Sequence, residues 1–134
     1  DKVIFVATKI DQVISKDHEA VRNLLAVIVR QAYKNAQYQG VDPLCEATAA
    51  VRSSREIDKG NDKGVSGIGL DGEKVSYIHP EIPARILEGD QSGEFLSWES
   101  PALNPPHDLS HKNHDVLPHI RMDTILNSLI GDKC

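Results

Sequence analysis

The chain has 134 residues, the length of one ordinary domain, with 40% hydrophobic and 26% charged residues, as in typical globular proteins. Its net charge of -5 argues against a nucleic-acid backbone as partner, because phosphate binding needs a basic face. No apolar run approaches the roughly 20 residues of a membrane span, and no basic-then-apolar leader indicates a signal peptide. Together with two lone cysteines, Cys45 and Cys134, these features favour a cytoplasmic protein with reduced thiols.

The first predicted elements are a strand and a helix. Residues 3–8 form a continuous apolar, β-branched run, which is typical of a strand buried on both faces. The helix that follows can be capped by Ser15 or Asp17, and Gly40 is predicted to end it. Its apolar residues recur at steps of three and four and form one stripe: Val21, Leu24, Leu25, Ile28, Ala32 and Ala36.

A turn at Val41-Asp42-Pro43 is predicted to lead into a second strand over residues 45–51, although its alanines make a helix a real competitor. Strand, helix and strand form a βαβ unit, so we expect parallel strands and a right-handed crossover. Because the first strand begins almost at once and the first residue is Asp1 rather than Met, we expect the natural chain to begin upstream.

The second half of the chain is less regular. Residues 56–64 are charged and contain glycine, which predicts a solvated loop, whereas Asp71-Gly72 between two apolar runs predicts a hairpin. Residues 95–98 predict a short strand, and residues 100–118, with four prolines and three histidines, predict irregular structure. A last helix is predicted from about Met122 to Ile130 and has an apolar face of Ile125, Leu126, Leu129 and Ile130.

The segment Thr8-Lys9-Ile10-Asp11, directly after the first strand, is a candidate guanine reader. Guanine presents two donors on one edge, and one carboxylate, that of Asp11, can accept both in a charge-assisted bidentate arrangement. Adenine offers no matching pair. Lys9 can lay its methylene stem over the purine, and Thr8 can brace the loop. The alternative is a solvated loop with a surface ion pair, but the strand–helix–strand context favours guanine recognition.

A second nucleotide-contacting loop is expected after the second strand, where a backbone amide would meet the guanine carbonyl oxygen. Ser53 and Ser54 are the best candidates for it, and Thr48-Ala49-Ala50 is a rival match. A plain polar turn is the alternative for either stretch.

Three segments resemble the YcjX-like family, which consists of bacterial P-loop GTPase-like proteins associated with stress regulons. They are residues 5–11 (Phe-Val-Ala-Thr-Lys-Ile-Asp), residues 79–85 (His-Pro-Glu-Ile-Pro-Ala-Arg) and residues 117–123 (Leu-Pro-His-Ile-Arg-Met-Asp), the last followed by residues 129–133. The resemblance implies GTP binding and slow hydrolysis by the whole, several times longer protein. It also implies a phosphate loop, a magnesium ion and switch segments upstream of these residues.

No G-x-x-x-x-G-K-S/T pattern occurs in the chain, and residues 60–64 have the wrong order and spacing. We therefore expect no catalytic residue and no metal ligand here, and no tight hold on GTP, GDP or magnesium by this part alone. The predicted fold is α/β, the C-terminal portion of a P-loop GTPase-like parallel sheet. A small β-hairpin and irregular insertion and a terminal helix complete it.

The predicted organisation has three parts. Residues 1–55 are the strand–helix–strand half of the nucleotide-binding domain, residues 56–120 are the hairpin and proline-rich insertion, and residues 121–134 form a helix packing back on the domain. An exposed strand edge makes self-association of this part a reasonable expectation.

Two other functions compete with guanine recognition. The insertion, with the single Trp98, could belong to a non-enzymatic module that binds an unknown protein partner. His107, His111 and His114 would share a face if helical, which suits a metal. Prolines and Asn113 within and before that stretch favour a polar surface loop instead.

Overall fold

The computed structural model describes residues 1–88, 97–105 and 118–131. Within them the chain forms a mixed α/β structure with a parallel sheet, an antiparallel sheet and helices. The elements in chain order are β1 (Lys2–Ala7), α1 (His18–Ile28), α2 (Arg30–Tyr38), β2 (Asp42–Ala47), β3 (Ser54–Lys59), β4 (Asp62–Ile68), β5 (Lys74–Tyr77) and α3 (Met122–Ile130). Two short 3-10 turns, Ile10–Gln12 and Ser15–Asp17, lie between β1 and α1.

The predicted strand–helix–strand unit is present, but the predicted burial of its first strand on both faces is wrong, because Val3 and Val6 are 37% and 36% exposed. β1 and β2 pair in parallel, with Val3 opposite Pro43 and Ala7 opposite Ala47. The helices α1 and α2 pack against β2, and α1 and α3 pack against β1. The carboxyl ends of both strands therefore lie side by side, and the loops that follow them start at the same edge of the sheet.

The second strand differs from its prediction at both ends. The predicted turn over residues 41–43 is wrong, because Asp42 and Pro43 already pair with β1, and Asp42 N–H donates to the Asp1 carbonyl (3.0 Å). Proline is tolerated here because it stands near the start of the strand. Residues 48–51 leave β2, and Ala49 pairs with Ile120 of the terminal segment instead.

The predicted single helix is interrupted at Val29, where φ is -91° and ψ is 8°. Three successive β-branched residues, Val27 to Val29, weaken helix propensity at that point. Asp17 occupies the N-cap position, but its Oδ2 lies 3.6 Å from His79 Nε2. Gly40 follows α2 with a φ of +73°, a conformation that favours glycine, so the predicted helix end is confirmed.

The predicted solvated loop over residues 56–64 is wrong, since β3 and β4 form an antiparallel hairpin there. The tight turn has Gly60 at a φ of +65°, and Asp58 pairs across the strands with Lys63. Opposite charges at facing positions stabilise such a pair, so a charged segment is compatible with a hairpin. The Asp71-Gly72 hairpin is confirmed between β4 and β5, with Gly72 at a φ of +86°.

The last helix is confirmed from Met122 to Ile130. Residues 95 and 96 of the strand predicted over 95–98 lie outside the described residues, and residues 97 and 98 are not in a strand. Most of the irregular stretch at residues 100–118 also lies outside the described residues. Among the residues that the structure describes, no helix has the length and apolar character needed to cross a membrane.

The buried core next to the parallel sheet includes the loop that follows β1. Ile10 is 1% exposed and packs with Ala47 at the end of β2 and Ala49 just beyond it. Partly buried apolar side chains surround these three: Ala7, Val13, Val21 and Ile120. The loop after β1 is thus anchored in the core by the residue immediately before Asp11.

Replacing Ile10 by alanine is expected to lower the free energy of unfolding by about 2–5 kcal/mol, because it leaves a cavity in this core. Ile28→Ala removes the same atoms at a site that is 60% exposed, and a change within about 0.5 kcal/mol is expected there. Urea unfolding of both variants measures the difference. Equal losses would contradict the placement of Ile10 in the core.

Candidate functional site

The candidate site lies in the loops that leave the carboxyl ends of β1 and β2. Lys9 has a φ of +58°, in the left-handed region that few residues other than glycine adopt. Thr8 and Lys9 are exposed, whereas Ile10 and Asp11, in the 3-10 turn that follows Lys9, are buried. Strained backbone of this kind is concentrated at ligand-binding positions, which makes the loop a candidate on geometry alone.

Asp11 is 9% exposed and meets both candidate serines. The Ser53 backbone N–H donates to Asp11 Oδ2 (2.8 Å). The Ser54 hydroxyl donates to the Asp11 carbonyl oxygen and lies 3.4 Å from Oδ2. The structure therefore brings Asp11, Ser53 and Ser54 together, and a carboxylate with about four acceptor positions retains capacity for a ligand.

Thr48, the first residue of the rival match, has a different place. Its hydroxyl donates to the Ile120 carbonyl, and its side chain is buried. Its backbone joins the two loops, because Thr48 N–H donates to the Ala7 carbonyl (2.8 Å) and Ile10 N–H donates to the Thr48 carbonyl (3.1 Å). Thr48 thus holds the loops at a fixed separation, and the serines are the residues that contact Asp11.

The antiparallel sheet and the segment after it contact the loop after β1. The Tyr77 hydroxyl donates to the Gln12 carbonyl (3.1 Å), and Ile14 N–H donates to His79 Nε2 (3.2 Å). The Ser15 N–H donates to the Glu56 carboxylate. These three contacts hold Gln12, Ile14 and Ser15 of the loop beyond Asp11, so the antiparallel sheet and the segment after it position the candidate site.

Two of these groups titrate away from their ordinary ranges. Burial, followed by the negative charge of Asp11, raises the pKa of Tyr77 to about 12, and a hydrogen bond with Ser100 opposes that rise. The backbone hydrogen bond from Ser15 is the main cause that lowers the pKa of Glu56. Tyr77 therefore remains a neutral donor beside the Asp11 carboxylate at neutral pH.

A second polar cluster was not predicted from the sequence. Glu46, at the end of β2, is buried and lies within 4 Å of two arginines, Arg22 and Arg121. Arg121 also contacts His18 at the start of α1. A usable sequence signal was the single Glu in the small, mostly apolar run Cys45–Ala50, because a carboxylate in a buried strand needs a partner.

The metal hypothesis receives no structural support from the described part of the chain. No group of three or more His, Cys, Asp or Glu side chains that could hold an ion occurs there. His107, His111 and His114 lie outside the described residues.

Comparison with known protein families matches residues 1–134 to the YcjX-like family, DUF463. The chain belongs to the YcjX-like family. The resemblance predicted from the three sequence segments is thereby confirmed over the full length of the chain.

Two curated relatives carry the name "Ras-like GTPase YcjX" and show how this family member relates to longer chains. The protein of Escherichia coli (strain K12) is 33% identical over 141 residues, and that of Shewanella oneidensis is 29% identical over 141 residues. Each match covers 99% of this chain but only 29% and 28% of the relatives. The chain thus spans less than a third of the length of these YcjX relatives.

Tyr77→Phe is expected to flatten the decline of stability in alkaline solution. The unfolded phenol has a pKa of about 10, and the folded one has a pKa of about 12. The unfolded state therefore loses its proton first, so this contribution is present below pH ~10 and is lost as pH rises towards ~12. The measurement is the urea midpoint against pH. Identical slopes for both proteins would show that Tyr77 titrates alike in the folded and unfolded states.

Proposed function

We propose that this chain recognises the guanine base of GTP or GDP, in a protein whose phosphate-binding groups lie outside these 134 residues. One observation supports this above all: the buried Asp11 carboxylate, following β1, accepts a hydrogen bond from the loop that follows β2. The name "Ras-like GTPase" of the relatives agrees with it. In this proposal β1, α1, α2 and β2 are the C-terminal portion of a P-loop GTPase-like sheet.

Base recognition rests on the acceptor capacity of Asp11. Guanine offers a ring N–H and an amine, which both carboxylate oxygens can accept in one plane. The Ser53 N–H uses one lone pair of Oδ2 and fixes the rotation of the carboxylate. Because the group is held in place before the base arrives, little ordering entropy is lost on binding. A base without the two donors would leave the carboxylate unpaired, which supplies selectivity.

Lys9, Thr8 and the serine loop complete the site in this proposal. The exposed Lys9 side chain leaves the turn at a left-handed residue, and its stem would cover one face of the purine. Its ammonium would reach towards phosphate groups, and Thr8 would brace the loop. Because the Ser53 amide already donates to Asp11, the Ser54 amide is the one of this pair that would contact the guanine carbonyl oxygen. Ligands bind at this edge of parallel sheets, outside the carboxyl ends of the strands.

The rest of the chain supports this site without supplying catalytic groups. We propose that residues 1–55 form the base-recognition part, that residues 56–120 brace it, and that residues 121–134 pack back on it. Magnesium and the groups that hydrolyse GTP would come from beyond these residues, since the sequence contains no phosphate-loop pattern. The family resemblance further supports a regulatory hydrolase of the bacterial stress response.

Asp11→Asn, in the full natural chain that contains these residues, is expected to weaken GDP binding about 10- to 100-fold. Asparagine has one acceptor oxygen where the carboxylate has two, so one of the two guanine donors is buried without a hydrogen bond. This costs about 1–3 kcal/mol. Xanthine carries an oxygen where guanine has its amine, so the asparagine amide can donate to it. Binding of xanthosine diphosphate should therefore improve. Titration calorimetry with GDP, ADP and xanthosine diphosphate measures all three.

Asp58→Asn is the matched control, because Asp58 is exposed on β3 and faces Lys63 of the hairpin. It should leave all three affinities unchanged. Guanine recognition by Asp11 is disproved if Asp11→Asn binds GDP as tightly as the unmodified protein, or if the unmodified protein binds GDP and ADP equally.

The isolated 134-residue chain is expected to show no GTP turnover above the buffer background. The sequence contains no phosphate-loop pattern, so the chain lacks the cradle that holds the phosphates and helps neutralise the charge on the transferred phosphoryl group. Release of inorganic phosphate from GTP in the presence of magnesium measures this. A rate that scales with protein concentration and persists through repeated purification would overturn the expectation.

A further inference from the structure

The segment before α3 pairs with the loop that follows β2. Ala49 and Ile120 exchange two backbone hydrogen bonds (3.2 and 2.9 Å), and Arg52 N–H donates to the Pro118 carbonyl (2.6 Å). The Thr48 hydroxyl adds a bond to the Ile120 carbonyl. The chain between β2 and Ser53 therefore runs alongside the terminal segment. Its pairing partner Ile120 directly precedes Arg121.

Arg121 contacts the anchor points of both candidate-site loops. One guanidinium nitrogen, Nη1, donates to the Ala47 carbonyl (2.9 Å), and Ala47 directly precedes the loop that leads to Ser53. The other, Nη2, lies 3.5 Å from Nδ1 of His18, which directly follows the loop that contains Asp11. The planar guanidinium thus spans the base of both loops, a geometry that a single ammonium group cannot reproduce.

The neighbouring groups are placed to complete this bridge. His18 Nε2 lies 2.9 Å from the Val13 carbonyl, which only accepts, so Nε2 is the donor nitrogen, and the neutral tautomer with this proton presents Nδ1 as an acceptor to Arg121. The carboxylate of Glu46 is buried, and its Oε1 lies 3.7 Å from Arg121 Nη1. Oε1 also accepts the Ala47 N–H (2.9 Å). At the end of β2, the negative charge of Glu46 therefore faces the positive charge of Arg121.

The backbone of Arg121 is also unusual. Its φ is +55°, and together with Lys9 it is one of two residues other than glycine with a positive φ in the described part of the chain. Lys9 directs the Asp11 loop, and Arg121 directs the turn into α3. Both conformations are less favourable than helix or strand for side-chain-bearing residues, so each must be held by its surroundings.

We propose that Arg121 is a positioning residue for guanine recognition, which sets the distance between Asp11 and Ser53 by bridging the loops that contain them. The proposal rests on the proposed function. It assigns a role to the terminal His-Ile-Arg segment, whose purpose is not evident from the residues alone.

Arg22 offers a matched control for this role. It also reaches Glu46 (Nη1 to Oε2, 3.9 Å), and its other ion-pair partner is Glu19 on the same helix (3.5 Å). The side chains of Arg22 and Arg121 are similarly exposed, at 41% and 36%. Arg22→Gln therefore removes the same charge from the same carboxylate, while the bridge from Ala47 to His18 remains.

The test compares GDP with inosine diphosphate in the full natural chain that contains these residues. The base of inosine diphosphate keeps the ring N–H of guanine but lacks the amine. The ratio of the dissociation constant for inosine diphosphate to that for GDP therefore reports how well the Asp11 carboxylate is oriented towards the amine. Arg121→Gln and Arg121→Lys are expected to lower that ratio about fivefold or more, as one weakened hydrogen bond would. Arg22→Gln should leave it unchanged. Poor folding lowers the active fraction of a sample but does not alter this ratio.

A second readout needs no nucleotide. The Ser53 amide donates to Asp11, so its hydrogen exchange should accelerate in both Arg121 variants but not in Arg22→Gln. Arg121→Lys retains the charge beside Glu46, so it should recover thermal stability without recovering selectivity or protection. Wild-type selectivity or wild-type Ser53 protection in either folded Arg121 variant would overturn the positioning role. If the unmodified protein shows no preference for GDP over inosine diphosphate, guanine recognition itself fails and this proposal fails with it.

Discussion

The hydrogen bond from the Ser53 amide to the Asp11 carboxylate is the interaction on which the candidate site depends. It joins two loops that are 42 positions apart in the chain and places a nearly buried carboxylate where the two parallel strands end. A buried carboxylate without partners is strongly unfavourable. The loops must therefore be brought to the right distance by the remaining structure, and several separate contacts do this.

Two further parts of the described chain hold these loops in place. The antiparallel sheet and its flank bind the loop beyond Asp11 through Glu56, Tyr77 and His79. From the opposite end of the chain, the terminal segment pairs with the loop after β2, and Arg121 contacts the anchor of each loop. The candidate site is a junction of three segments that are distant in sequence.

Local sequence signals were sufficient where one short stretch decides its own structure. The apolar run of β1, the Gly40 helix end, the Asp71-Gly72 turn and the helix Met122–Ile130 follow from periodicity and turn chemistry. Local sequence signals gave the wrong structure where pairing with another segment decides whether a strand forms. Residues 56–64 have the composition of a solvated loop, yet they form strands because facing charges pair across the hairpin.

By itself, the sequence determined that Thr8-Lys9-Ile10-Asp11 follows an apolar strand, and that the chain belongs to the YcjX-like family, because contiguous residues carry both signals. It also indicated two serine candidates but could not choose between them and Thr48. Only the tertiary structure decided that Ser53 and Ser54, and not Thr48, contact Asp11. Only the tertiary structure showed that Arg121 contacts Ala47 and His18, which flank the two loops. The physical reason is that hydrogen bonds between distant segments depend on backbone paths, which no local pattern encodes.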